Sequence, residues 1–229
     1  MNDESSQRRE IKSYVIRGGR LTSAQQHAMD TLWEKYGLSR EAGVVNRQQV
    51  FDRQAELVLE IGFGMGGSLV TMANEHPERD YIGIDVHPPG IGTILRDIAS
   101  SGLTNLKVYE DDALLVLKEC IASEGLDKVQ IYFPDPWHKK RHHKRRMIQP
   151  AFAQLLREKL SVGGQVHFAT DWENYAEHIL EVMEGAEGFE NIVGEENFVT
   201  EHDRPETKFE RRGQRLGHGV WDMIYRKTC

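Results

Sequence analysis

The amino-acid sequence predicts a doubly wound α/β domain: a parallel sheet covered by helices on both faces and finished by an antiparallel hairpin. Three observations carry this. From Glu56 onward, short apolar runs alternate with amphipathic stretches, the rhythm of strand–helix units whose strands lie parallel. The first apolar run, Leu57-Val58-Leu59-Glu60-Ile61, opens directly into a glycine-rich turn. The tail breaks the rhythm, because Phe189 to Val193 and Val220 to Arg226 are both strand-like and are joined by a loop rather than a long helix.

Residues 1–20 are polar and basic (Arg8, Arg9, Lys12, Arg17, Arg20) and read as an arm. Leu21 to Gly37 reads as a helix. Thr22 or Ser23 can cap it, and Ala28, Met29, Leu32, Trp33 and Tyr36 share one face at 3/4 spacing. Residues 38–55 carry mixed charge without a period and read as a connector, so 1–55 precede a domain spanning 56–229. Within that domain strands are expected at 56–61, 80–86, 106–110, 128–133 and 164–169, and helices at 66–75, 90–101, 113–122, 150–160 and 173–184. Pro150 suits a first helical turn. Ala176, Ile179, Leu180 and Met183 fall at i, i+3, i+4 and i+7, with Thr170 and Glu173 spaced as a capping box ahead of them.

Composition narrows the class. A chain of 229 residues with 39% hydrophobic content can bury one sizeable core. The opening M-N-D-E-S-S-Q-R-R-E has no apolar h-region, and the most apolar long stretch, Leu57 to Ala73, is interrupted by Glu60 and several glycines and is too short to span a bilayer. Cys120 and Cys229 are the only cysteines, which excludes a disulfide framework and a cysteine zinc site. A soluble, cytoplasmic protein without membrane or metal partners is expected.

The glycine turn Gly62-Phe63-Gly64-Met65-Gly66-Gly67 satisfies G-x-G-x-x-G, the spacing that lets backbone approach a ligand closely. Glu60 separates two cofactor classes. A carboxylate inside an apolar strand is costly unless something pairs with it; a pyrophosphate would repel it, whereas the ammonium of an amino-acid cofactor would not. Asp85 ends the second strand, where it can accept from ribose hydroxyls of NAD or of S-adenosylmethionine alike, and Asp111 or Asp112 follows the third. Asp112 can also serve simply as a helix N-cap. Acids at three successive strand ends, with no basic residue in the glycine loop, favour a cationic cofactor without phosphate.

Residues Phe133 to Arg146 read F-P-D-P-W-H-K-K-R-H-H-K-R-R. Six cations and three histidines fill the nine residues after Trp137 in a chain of formal net charge -7, so this segment reads either as a solvated basic loop or localisation-type signal or as a local polyanion site on an otherwise acidic protein, and the adjoining Asp135 and Trp137 favour the last. One carboxylate and one large aromatic beside such a patch suit chemistry on a base while a phosphate backbone is gripped. Trp137 can stack on a splayed base or wedge into the core. His138, His142 and His143 are flanked by cations, which disfavours a divalent metal and favours hydrogen bonds to phosphate. So many like charges predict a mobile segment.

The glycine loop, the spaced acids and the P-D-P-W-H-K block together resemble the tRNA (guanine-N7-)-methyltransferase family. A-T-D-W-E-N-Y-A (169–176), T-K-F-E-R-R-G (207–213), G-H-G-V-W-D (217–222) and the opening R-G-G-R-L-T-S-A-Q-Q-H-A extend the likeness over nearly the whole chain. The resemblance implies a Rossmann-like class I methyltransferase fold with a seven-stranded, mostly parallel sheet and an antiparallel last strand. It implies methyl transfer from S-adenosyl-L-methionine to N7 of a guanine in the variable loop of tRNA, by a monomer or homodimer. Glu60, Gly62, Gly64, Asp85, Asp112 and Asp135 are then expected at the cofactor, and Asp135 is also the expected catalytic residue. Lys139, Asp171, Thr207, Lys208, Phe209 and Glu210 match substrate contacts; Arg141, His142, His143, Lys144, Arg145 and Arg146 match the RNA-contact stretch. Guanine N7 carries a lone pair and no proton, so no general base is needed. Asp135, its backbone stiffened by Pro134 and Pro136, is expected to position the base and to place negative charge near the purine as it becomes cationic.

Overall fold

A computed structural model describes residues 12–14, 20–206, 210 and 219–229. Helix α1 (Ser23–Tyr36) is followed by a two-residue strand β1 (Gly37–Leu38), a 3₁₀ turn and a short helix α2 (Arg47–Phe51). The alternating region then gives β2 (Leu57–Ile61), α3 (Gly67–Glu75), β3 (Asp80–Asp85), α4 (Pro88–Ser101), β4 (Leu106–Glu110), α5 (Ala113–Cys120) and β5 (Leu126–Tyr132). Next come α6 (Pro150–Lys159), β6 (Leu160–Thr170), α7 (Glu173–Glu184), β7 (Phe189–Asn191) and β8 (Trp221–Lys227).

The strands form one sheet in the order β1-β4-β3-β2-β5-β6-β8-β7. All neighbours up to β6 pair in parallel; β8 runs antiparallel between β6 and β7. The expected hairpin is therefore present, with its second strand inserted beside β6. Among the described residues the sheet has eight strands where seven were expected. The addition is β1, which pairs Gly37 and Leu38 with Val108 and Tyr109 at the edge; two residues are too few to print a period-2 pattern, so this strand is invisible in the sequence. Residues 38–55 are likewise not a bare connector, since they carry a 3₁₀ turn and α2.

Two apolar layers cover the sheet. On one face α5, α6 and α7 bury Val116, Leu117, Phe152, Leu156, Ile179 and Met183 against Leu59, Ile61, Val129 and Phe168. On the other, α1, α3 and α4 bury Ala28, Leu69, Met72, Ile94 and Ile98 against Val58, Tyr81 and Val108. Removing one such buried Leu or Ile side chain to Ala costs about 2–5 kcal/mol, which is why the apolar spacing reads so clearly in the sequence. Helix α1 belongs to this second layer. Thr22 caps it in a capping box with Gln25, and the Gln25 amide also donates to Pro89 O (3.1 Å) and Thr93 Oγ1 (3.0 Å) of α4. The capping box expected at Thr170 and Glu173 does not form. Thr170 is still the last residue of β6, its hydroxyl accepts from Trp172 N, and Trp172 is the N-cap residue of α7. No helix among the described residues is long and apolar enough to cross a membrane.

Candidate active site

Strand β2 lies between β3 and β5, so the chain leaves the sheet centre in both directions and a crevice opens at the carboxyl ends of the strands. A cavity of about 320 Å³ sits there. Its walls are the ends of β2 (Ile61, Gly62), β3 (Asp85 to His87), β4 (Asp111, Asp112) and β5 (Tyr132 to Asp135), with Ser13 and Tyr14 of the arm closing one side. Four aspartates line it, and among the described residues no lysine or arginine does.

The glycine turn shapes the crevice floor. Gly62, Gly64 and Gly66 have φ of 78°, 60° and 81°, the left-handed region that glycine enters without cost. A Cβ on Gly90 of α4 would lie 2.0 Å from the carbonyl oxygen of Gly64, so the turn and α4 approach backbone to backbone. Asp85 ties the turn to β3: its carboxylate accepts from Gly64 N (2.7 Å) and His87 N (2.9 Å). Burial lifts the Asp85 carboxyl above its ordinary range against the pull of those N–H donors.

Glu60 is buried in the middle of β2, and its Oε2 has no hydrogen-bond partner. Burial first, and the neighbouring Asp85 second, push its carboxyl up to about 8. Asp112 is the N-cap of α5, accepting from Leu114 N (2.9 Å), and it also lines the cavity. Asp111 lines the cavity as well and is ion-paired to Arg40 at 2.8 Å.

Asp135 stands exposed on the cavity rim. Its turn is unusual. Phe133 and Trp137, two bulky residues on either side of Pro134-Asp135-Pro136, both take positive φ (51° and 49°). Such conformations cost roughly 1–3 kcal/mol each and persist only where their surroundings enforce them. The enforcement is visible: Phe133 N donates to Ala169 O (2.8 Å), and Trp137 Nε1 donates to Ser13 O (3.1 Å). Trp137 is half-buried, and one face of its ring lies under the Arg145 guanidinium, 3.9 Å from the ring centre.

The basic segment takes a 3₁₀ helix, Lys140–Arg145, a conformation its sequence left open. Lys139, Lys140, Arg141 and Lys144 are exposed, and His142 and His143 are half-buried. Arg146 departs from the expectation that it faces RNA. It is buried, and it donates to Pro136 O (3.0 Å) and to the Asn174 carbonyl and side-chain oxygens (3.4 and 2.8 Å) while lying over the Tyr175 ring. This one cation fastens the basic segment to the P-D-P turn and to α7.

Among the expected substrate residues, Asp171 is half-buried just after β6, and Lys139 begins the basic turn. Thr207, Lys208 and Phe209 lie outside the described residues. Glu210 is buried and paired with Arg204, whose guanidinium also makes two 2.7 Å contacts to Asp222. Asp222 in turn accepts from His167 Nε2 (2.7 Å), and His167 Nδ1 meets the Tyr132 hydroxyl (3.1 Å). Arg204 and His167 hold the Asp222 carboxyl down at about 2 although burial opposes them. Glu210 is thus anchored in a buried network that ends at a cavity residue. The sequence reading missed Gln130, His167, Arg204 and Asp222. The usable signal was the one that singled out Glu60, a polar residue inside an apolar strand, and it applies equally to Gln130 and His167. Among the described residues no cluster of His, Cys, Asp and Glu is arranged to hold a metal ion.

Residues 54–223 match the model of a family described as "Putative methyltransferase". Over 222 residues the chain is 55% identical to a tRNA (guanine-N(7)-)-methyltransferase of Alcanivorax borkumensis, covering 96% of this chain and 93% of that protein. It is 54% identical over all 229 residues to the protein of the same name from Shewanella sp. (strain MR-4), covering 96% of it. The chain belongs to the tRNA (guanine-N(7)-)-methyltransferase family. Its fold is shared more widely. The 16S rRNA methyltransferase KamB superposes with a TM-score of 0.57 at 16% identity, over 80% of this chain and 92% of that one. The aminoglycoside resistance methyltransferase NpmB1 gives 0.56 at 15%, over 83% and 94%. Identities this low carry the fold alone.

Proposed function

We propose that the protein transfers a methyl group from S-adenosyl-L-methionine to N7 of a guanine in the variable loop of tRNA, leaving 7-methylguanosine. The observation that carries this is one cleft with two characters: a cavity walled by aspartates beside a buried Glu60 whose Oε2 has no hydrogen-bond partner, and on its rim the turn bearing Asp135, which leads into a basic helix. The residues fit the cofactor. Glu60 supplies a buried acid for an ammonium group, Gly62 and Gly64 admit the ligand close to the backbone, and Asp85 and Asp112 offer carboxylates to ribose and adenine.

When bound, S-adenosyl-L-methionine supplies a sulfonium methyl, whose C–S bond breaks as the N7 lone pair forms the new bond. The chain's own work is alignment and charge placement. Asp135 holds the base in line and sets a negative charge beside the purine as it turns cationic. Lys139, Asp171 and residues 207–210 hold the nucleotide, with Glu210 fixed through Arg204. Lys140, Arg141 and Lys144 face outward to take the phosphates, while Arg145 rests on Trp137 and Arg146 holds the loop. The test is transfer of a labelled methyl group from S-adenosyl-L-methionine to unmodified tRNA, with the nucleoside identified by mass spectrometry. The expected product is 7-methylguanosine. A different methylated nucleoside would overturn the target atom, and tRNA binding without transfer would overturn the enzyme reading.

A further inference from the structure

Gln130 sits in the middle of β5 and is fully buried, yet neither its amide oxygen nor its amide nitrogen has a hydrogen-bond partner. A buried, unpaired primary amide is destabilising, so its presence calls for a partner that completes it. The sheet register identifies which neighbours are in reach. Gln130 pairs with Glu60 of β2 on one side and with His167 of β6 on the other, and residues so paired point to the same face about 4.8 Å apart. His167 has nothing left to offer, because its two ring nitrogens are taken by Tyr132 and Asp222. Glu60 is the opposite case, a buried carboxyl with an oxygen unpartnered. Its other neighbour in the row is Gly83, which has no side chain. Two incomplete polar groups therefore stand side by side at the sheet centre, directly under the glycine turn.

We propose that Gln130 is a positioning residue of the cofactor site, donating its amide N–H to the Glu60 carboxylate and holding it aimed at the ammonium group of S-adenosyl-L-methionine. The inference deepens the cofactor reading above and rests on it. Without ligand, Glu60 favours its neutral form, a weaker acceptor for the amide N–H, and the two groups stand unpaired. A cationic group at Glu60 favours the carboxylate, and the amide N–H then finds a charged acceptor.

The test uses the full chain carrying Gln130→Met or Gln130→Leu, both apolar and close in volume. Two quantities are measured: the dissociation constant for S-adenosylhomocysteine by calorimetric titration, and the melting temperature of the ligand-free protein. Loss of an unpaired buried amide should leave the ligand-free melting temperature unchanged or raised, while loss of a hydrogen bond to a charged group should weaken ligand binding roughly ten- to a hundredfold. A core-packing role would not separate the two in this way. Unchanged affinity in either folded variant overturns the proposal, and so does a lowered ligand-free melting temperature in both. If the wild type itself takes up no S-adenosylhomocysteine, the cofactor reading fails first and carries the proposal with it.

Discussion

Replacing Glu60 with Gln should remove a loss of stability that the ligand-free protein suffers in alkali. In the native fold this carboxyl is pushed from an ordinary 4.5 up to about 8, by burial first and Asp85 second. Below the ordinary value the group is protonated in both folded and unfolded chains and has no influence on stability. Between there and about 8 the folded protein keeps a proton that the unfolded chain has released, so stability falls as pH rises, and above about 8 the loss is complete. At about 1.4 kcal/mol for each pH unit the loss approaches about 5 kcal/mol, a large share of the 5–15 kcal/mol typical of a domain. Glu60→Gln cannot ionise and should escape it. The variant should therefore unfold at higher urea than the wild type at pH 8.5 and lose that advantage near pH 5. The same carboxyl should become ionised when S-adenosylhomocysteine binds. The wild type should then release most of one proton at pH 7, visible as a difference in binding enthalpy between phosphate and Tris buffers, and Glu60→Gln should release none and bind at least a hundredfold more weakly. Parallel pH–stability curves for the two proteins, or a buffer-independent enthalpy in the wild type, would refute the reasoning.

Four further outcomes are open to measurement. Asp135→Asn should lower the methyl-transfer rate by about a hundredfold or more while tRNA affinity stays close to wild type, as read by single-turnover and equilibrium assays. Replacing Lys140, Arg141 and Lys144 together with Gln should weaken tRNA binding and flatten the log–log dependence of affinity on salt by about 2–3, with the melting temperature unaffected. Arg146→Ala should behave oppositely: it strands the oxygens of Pro136 and Asn174 and should cost about 1–3 kcal/mol in a urea melt. Gly90→Ala forces a methyl group to within 2.0 Å of the Gly64 carbonyl oxygen, so the turn must shift, and titration with S-adenosylhomocysteine should show binding largely lost.

The elements that the sequence made legible are those whose pattern is local. Helix α7 was readable because its apolar spacing meets one buried layer, and β2 because five consecutive buried residues leave no room for anything but a central strand. Strand β1 and helix α2 are too short to carry a period; tertiary pairing with β4 creates the first of them. The Thr170–Glu173 spacing misled because a capping box needs Thr170 outside the preceding strand, and β6 continues through it. At the site, Glu60 and the basic run announced themselves by being out of place. Arg146 could not be told from its five neighbouring cations, since only the fold decides which one turns inward. The Arg204–Asp222–His167 network joins positions scattered over the last third of the chain, and no spacing rule connects them.

The sheet order has a consequence for how such a protein can change over time. Every acid assigned to the methyl donor except Asp135 hangs from β2, β3 or β4, whereas Asp135, the basic helix, Asp171 and Glu210 all follow from β5 onward, on the opposite side of the central strand. Under the roles proposed above, donor and acceptor would be read by two flanks that meet at the seam where β2 pairs with β5 and Glu60 lies beside Gln130. With those roles, mutations along the outer part of the acceptor flank would be expected to alter the nucleic acid served while leaving the β2–β4 side of the cavity intact. The seam is the stretch where such drift meets resistance.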